Sequence, residues 1–294
     1  MLTIRQQMLR WAGLARNRLP EGPDPVARFL LSGHTDSGGF AGRDGNADLY
    51  YTSFAIDALR ALGRDDTPSG LVDYLDRAVA GIDKLDLVHL CCLIRCRVAL
   101  RLPCGRGFVK RLSDFRSRDG GFATATSAAN GTSYGAFLAL GAWQELDAPP
   151  LPNIDALAGS LLALRRPDGS FANDTQLPVP SVPATAAAVV ALNRLNHPAG
   201  RESTDWLLDR RLSDGGFEPV AGLGRCDLLS TATAMIALAF ESSLPTDNAE
   251  TTVGFVHSLY RDGGFAGSAD DPRADCEYTW YALAALGLSG GSEA

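Results

Sequence analysis

The sequence predicts an all-α fold, an α/α toroid (an α6/α6 barrel) of about six helical-hairpin repeats, and three observations predict it. A glycine turn followed by Phe recurs at a near-constant interval. An Ala/Leu-rich run that is apolar around most of its circumference follows each turn. Helices with a single apolar stripe alternate with those runs.

The turns come first, because a repeat decides the architecture. Five segments share the pattern: Ser37-Gly38-Gly39-Phe40, Asp119-Gly120-Gly121-Phe122, Asp168-Gly169-Ser170-Phe171, Asp214-Gly215-Gly216-Phe217 and Asp262-Gly263-Gly264-Phe265. The later turns are 46 to 49 residues apart, and the first gap is 82, close to two periods. One repeat has therefore lost its turn signature. The glycines let a helix stop and the chain reverse, which needs φ > 0 or close backbone approach. The Phe is expected to plug the layer between neighbouring hairpins.

The apolar runs are Tyr51–Leu62, Tyr134–Trp143, Ala184–Leu195, Thr231–Phe240 and Tyr278–Leu288, with Leu87–Leu102 as the member lacking a turn. Helices apolar all round are buried on all sides. Leu71–Ile82 and Glu202–Leu212 carry one apolar stripe and several charges, as outer helices should. Alternation of the two kinds implies two concentric layers. The toroid is expected over residues 35–290, with 1–34 as an N-terminal helical segment.

Aligning the runs by their Ala-Leu pairs places Thr52, Ser133, Thr185, Thr231 and Thr279 in one column near the helix starts. Four residues earlier stand Asp48, Ala129, Ser181, Asp227 and Asp275. Hydroxyls and carboxylates there suit helix capping and complement the positive end of a helix.

Composition excludes several classes. Hydrophobic content of 46% supports a sizeable core, and a net charge of −7 argues against a nucleic-acid binder, which needs a basic face. Six cysteines show no CxxC pair. The first residues offer no uninterrupted apolar stretch, and no run reaches the ~18 residues of a membrane span. A cytoplasmic protein with reduced thiols is expected.

The sequence from Gly38-Gly39-Phe40-Ala41-Gly42-Arg43 to Asp48-Leu49-Tyr50-Tyr51-Thr52 resembles the prenyltransferase and squalene-cyclase repeat. So does Asp262-Gly263-Gly264-Phe265 leading to Asp275-Cys276-Glu277-Tyr278-Thr279. The resemblance extends over almost the whole chain and is nearest to bacterial proteins like the protein prenyltransferase β subunits. It implies parallel inner helices whose N-termini gather at one mouth, a place for an anion such as a diphosphate. It also implies a barrel lined by inner-helix side chains. Tyr51, Phe54, Tyr134, Phe137, Trp280 and Tyr281 would either suit an apolar, unsaturated chain there or simply fill the core.

The resemblance further implies zinc chemistry: an Asp, a Cys two residues on and a His in the last repeat. Here these positions hold Asp227, Leu229 and Tyr278, so Asp227 alone matches the ligand set and no metal site is expected. Arg43, Arg225 and Arg273 precede the Asp column and are candidates for a diphosphate cluster or solvated loop charges. Asp227, Asp275 and Tyr278 are the candidate catalytic groups. No DxDD-like run of a class II terpene cyclase occurs at an inner helix. Asp270-Asp271 beside Pro272 reads as a solvated acidic loop. His89, Cys92 and Cys96 share one helix face, conceivable as zinc ligands with a fourth from elsewhere, though buried Cys commonly acts as a small hydrophobe.

The leading expectation is a prenyltransferase-like toroid holding an isoprenoid, as diphosphate or similar apolar ligand, in its central cavity; if active, it is a transferase without the usual zinc. The alternatives are a non-catalytic binding or scaffold toroid, a protein prenyltransferase β subunit with an altered metal site and an α-subunit-like partner, and a terpene-cyclase-like enzyme.

Overall fold

The computed structural model describes residues 1–245 and 249–290. Its α-helices are α1 (Ile4–Gly13), α2 (Pro23–Ser32), α3 (Leu49–Ala61), α4 (Leu71–Ala80), α5 (Leu87–Ala99), α6 (Arg106–Ser113), α7 (Ser133–Glu145), α8 (Ile154–Leu162), α9 (Val182–Arg194), α10 (Arg201–Leu208), α11 (Leu228–Phe240), α12 (Ala249–Ser258) and α13 (Cys276–Leu288). The six Ala/Leu-rich runs are α3, α5, α7, α9, α11 and α13, each thirteen residues long. Each packs against the next, and α13 packs against α3, so the inner ring closes.

Each inner helix has its outer partner just before it in sequence, from α2 with α3 to α12 with α13. Pro23–Ser32, in the stretch set apart as N-terminal, thus supplies the first outer helix. The hairpin without a glycine turn is α4–α5, where Ile82–Lys84 forms a short 3-10 turn instead.

The turns show why glycine is needed. The first glycine of each turn has φ between +87° and +94°. A Cβ on Gly38 would meet Gly70 O at 2.2 Å, and one on Gly215 would meet the Thr251 backbone at 2.4 Å, so each turn presses on the start of the next outer helix. The last turn continues this around the ring: a Cβ on Gly263 would lie 2.7 Å from Pro25 O in α2.

The turn phenylalanines are buried, as expected, at 0–1% exposure. Threonine hydroxyls anchor them. Thr52, Thr185, Thr231 and Thr279 accept the backbone N–H of Phe40, Phe171, Phe217 and Phe265 at 2.9 to 3.1 Å. Capping belongs instead to the residue four earlier: Asp48, Ser181, Asp227 and Asp275 each accept an N–H from the first turn of their helix.

The third repeat departs from the aligned column. Its cap is Thr132, not Ala129, and Ser133 is the first helical residue, its hydroxyl donating to Ala172 O at 2.8 Å. Counting from the turn Phe gives the right register. The cap follows by ten residues in the last four repeats with a turn, which puts Ala136 in the threonine place of this one. Some strand pairing lies in the turns. A three-stranded antiparallel sheet, β1 (Tyr260–Arg261), β2 (Gly264–Ala266) and β3 (Ala274–Asp275), forms in the last, and single bridges form in the others.

Helix α1 spans the end of the barrel opposite the caps. Ile4 N donates to Gln144 Oε1 at the end of α7, Trp11 stacks edge-on against Phe240 at the end of α11, and the Trp11 carbonyl lies so close to Gly287 of α13 that no Cβ would fit. The N-terminal segment thus closes the base and leaves the mouth to the inner-helix N-termini. No helix among the described residues is long and apolar enough to cross a membrane.

Candidate functional site

Inside the ring lie two adjoining cavities, the larger where small residues on α9 face aromatic ones on α3, α7 and α13. The larger, about 300 Å³, is bounded by Tyr50, Tyr134, Phe137, Tyr281, α9 (Pro183, Ala186, Ala187, Val190), α11 (Leu229, Thr233, Ile236), Glu277 and, at the base, Met8. The smaller, about 60 Å³, lies toward α1 and α5 and is lined by Phe54, Trp280, Arg5 and Arg95 among others. Met8, Tyr134, Phe137 and Tyr281 border both.

Five of the six aromatics singled out from the sequence therefore line this space. Tyr51 does not. It packs where a Cβ on Gly42 would be 3.2 Å away, and Tyr50 faces the cavity instead. One residue along a helix turns a side chain by ~100°, which the apolar pattern around α3 could not resolve. The signal that would have found Tyr50 is its place two residues after the cap. Tyr50, Tyr134, Pro183, Leu229 and Glu277 all hold that place, and all line the larger cavity.

Glu277 is the single carboxylate on that wall. Tyr50 Oη donates to it at 2.6 Å. Burial is the largest influence and holds the carboxyl above its usual range; the Asp275 charge adds to this, while the Tyr50 hydrogen bond and Arg43 oppose it. Burial likewise pushes the Tyr50, Tyr134 and Tyr281 phenols up, so all three stay neutral donors.

The candidate catalytic groups Asp227, Asp275 and Tyr278 line neither cavity. Both carboxylates face helix-start amides, Asp227 accepting from Ser230 N at 2.6 Å and Asp275 from Tyr278 N at 2.9 Å. Burial raises both. Tyr278 lies under the Arg43 guanidinium, 5.5 Å from its ring centroid.

The arginines do not gather into a diphosphate cluster. Arg43 donates to Asp271 at 2.5 Å and Asp275 at 2.9 Å, and Arg225 pairs with Asp270 at 2.6 Å on the exposed rim. The acidic loop before α13 is therefore not merely solvated; it ties neighbouring repeats together at the mouth. Arg273 is exposed on the same loop. The converging helix N-termini are also occupied, because Asp48, Asp86, Asp227 and Asp275 cap four of the six inner helices. An incoming anion meets carboxylates where a bare N-terminus would offer N–H groups.

Zinc does not fit. Leu229 and Tyr278 stand at the two other ligand positions, and Asp227 is engaged as a cap. His89 is drawn away from Cys92 and Cys96 by Asp86, 2.8 Å from its Nδ1, and Asp48, 3.6 Å from its Nε2. The neighbouring Asp48 carboxylate does most to raise the imidazole, to about 9, with the hydrogen-bonded Asp86 adding to it. Burial pushes both thiols up, Cys92 to about 11. Among the described residues no group of three or more His, Cys, Asp or Glu is arranged to hold a metal ion.

At the base, Asp57 accepts from Arg5 Nε and Nη2 at 2.9 and 2.6 Å and from Arg95 Nη2 at 2.7 Å. Arg5 also reaches Glu145 at 3.3 Å, and Thr3 hydrogen-bonds the same carboxylate. Asp57 and Arg95 hold the same place, nine residues after the caps of α3 and α5, but Arg5 and Glu145 have no counterpart in the repeat pattern, so it did not mark this network.

The family model described as the prenyltransferase alpha-alpha toroid domain matches residues 22–94, 99–181 and 124–294. A search of curated proteins finds no match. Among solved structures, Candida albicans protein geranylgeranyltransferase-I complexed with GGPP is similar at TM-score 0.72 and 14% identity, covering 90% of each chain. A protein from Actinoplanes is similar at TM-score 0.63 and 17% identity, over 90% of this chain and 97% of that one. A variant of the type II terpene cyclase MstE from Scytonema, in complex with its substrate geranylgeranyl dihydroxybenzoate, is similar at TM-score 0.55 and 13% identity, over 96% and 97%. At these identities the structures share the fold, while the family match extends over nearly the whole chain: the chain belongs to the prenyltransferase alpha-alpha toroid domain family.

Proposed function

We propose that the chain binds an isoprenoid, or a comparably apolar unsaturated chain, in its barrel, with neither zinc nor a diphosphate clamp at the mouth. The observation that carries this reading is the aromatic-walled cavity of about 300 Å³. That volume is at the small end of the ~300–1,000 Å³ of ligand pockets. A farnesyl-length chain of ~15 carbons at ~0.8 kcal/mol per methylene gives roughly 12 kcal/mol. Subtracting an association cost of at least ~4 kcal/mol leaves binding in the micromolar range. The structural relatives that hold GGPP and a geranylgeranyl benzoate support the ligand class. Six free thiols fit a reducing, cytoplasmic setting.

Calorimetry with farnesol and farnesyl diphosphate tests this. The alcohol should bind in the micromolar range and the diphosphate at least ~10-fold more weakly, because the rim carboxylates repel it. No detectable heat from either would overturn the proposal, and tighter binding of the diphosphate would restore diphosphate chemistry.

Glu277 favours a second reading, a proton-initiated isomerisation. In its protonated form, which burial favours, Glu277 would transfer its proton to one carbon of an alkene beside it, leaving a carboxylate and a carbocation. Tyr134, Phe137 and Tyr281 would face that cation. Loss of a proton from a neighbouring carbon back to the carboxylate closes the cycle with no co-reactant. Glu277→Gln should then abolish conversion of a bound polyene while leaving its affinity unchanged; equal conversion by the variant sinks this reading.

A further inference from the structure

The two arginines at the floor of the barrel are not equivalent. Arg5 spends its donors on Asp57 and Glu145. Arg95 gives one Nη2 hydrogen bond to Asp57, and its guanidinium carbon sits 5.2 Å from the Phe54 ring centroid. Its Nη1 has no hydrogen-bond partner among the described residues, and the side chain, 18% exposed, lines the smaller cavity. An apolar ligand that covered this donor would leave it unmatched at ~1–3 kcal/mol, so the site favours a ligand that brings an acceptor.

Charge decides what kind of acceptor. The ionised groups around the floor are Arg5 and Arg95 against Asp57 and Glu145, two of each sign. The thiols packed nearby, Cys91, Cys92 and Cys96, are held neutral by burial. An added carboxylate or phosphate would be a buried charge without a counterion, which costs several kcal/mol. An uncharged oxygen takes the hydrogen bond without that cost.

We infer that the smaller cavity is a head-group subsite for the uncharged oxygen of an isoprenoid alcohol or aldehyde, seated on Arg95 with the chain directed up toward the mouth. The inference rests on the apolar-ligand reading above and adds the polar group and its direction. Met8, Tyr134, Phe137 and Tyr281 stand between the two cavities. Met8 is unbranched and reorients at small cost, so it is the side chain that joins them when a chain threads through. This direction brings the far, unsaturated end of the chain beside Glu277, and it opposes what a diphosphate held at the mouth would impose.

Calorimetry with farnesol, farnesene and farnesoic acid tests the inference. The three share a chain and differ in having a hydroxyl, no oxygen or a carboxylate. Farnesol should bind about 10-fold more tightly than farnesene, the worth of one buried hydrogen bond. Farnesoic acid should bind no more tightly than farnesol. Arg95→Met should abolish the farnesol advantage and leave farnesene affinity within about 2-fold. Equal binding of farnesol and farnesene by the unaltered protein overturns the inference and leaves the cavity reading standing. So does preference for the acid, or an Arg95→Met variant that weakens both ligands alike. If none of the three binds, the cavity reading itself fails. The ligand comparison on the unaltered protein decides the matter even where Arg95→Met does not fold.

Discussion

Asp57→Asn is the substitution that reports on how α1 is held. The side chain is 1% exposed and its two oxygens accept three hydrogen bonds from Arg5 and Arg95. Asn keeps the volume but removes the charge and aims an amide at one guanidinium. Arg5 retains only Glu145, and Arg95 loses its one carboxylate partner. Breaking a buried ion network by removing one partner costs ~3–5 kcal/mol, a large part of a typical domain's stability. Urea denaturation at pH 7 measures the loss, and limited trypsin cleavage after the exposed Arg10 reports release of α1. Burial pushes the Asp57 carboxyl up, but Arg5 and Arg95 outweigh it and hold it below the usual range. Its stabilisation is therefore fully present above an unfolded value of ~3.9 and is lost as pH falls through the lower folded value. The gap between the protein and its variant should close in acid. A loss under ~1 kcal/mol with unchanged trypsin resistance would refute the view that this network pins the base.

Thr231→Val removes the hydroxyl that accepts Phe217 N–H and donates to Asp227 O; it should cost ~1–3 kcal/mol. Thr231→Ser, which keeps the hydroxyl and gives up one methyl, should cost ~0.8 kcal/mol, and Val no worse than Ser in urea unfolding would remove the anchoring role. His89 is raised to about 9, so its contribution is full below ~6.5 and disappears as pH rises through about 9. Its imidazole is 38% exposed, so screening holds that contribution to ~1 kcal/mol or less. An NMR titration with an inflection near 6.5 would contradict it. Metal analysis of protein purified without chelators should find far less than one zinc per chain. Stoichiometric zinc would reinstate a β-subunit activity with its α-subunit-like partner.

The ring of buried helices was legible in the sequence because two strong local signals coincide in each repeat. The glycine pair before Phe marks where the chain reverses, and an apolar circumference marks a helix that touches no water. Local geometry was less secure. Aligning by Ala-Leu pairs misplaced Ser133, whereas the ten residues from Phe to cap in the last four repeats with a turn, set by the loop that crosses the rim, keep the register. Tyr50 and Tyr51 look alike in the apolar pattern, and which one faces the cavity follows from the rotation of α3 about its own axis, which the position of its cap fixes. The arginines of the rim read as anion ligands until Asp270, Asp271 and Asp275 appear beside them. Arg225 meets Asp270 one repeat further along the chain, but Arg43 meets Asp275, 232 residues away, because the ring closes, which no spacing encodes. The same holds for the base, where four helices bring Arg5, Asp57, Arg95 and Glu145 together. Helix and turn propensities act within a few residues and are written in the order of the chain. Cavity shape, pairing and protonation arise where distant segments exclude water together, and they exist once the ring has closed.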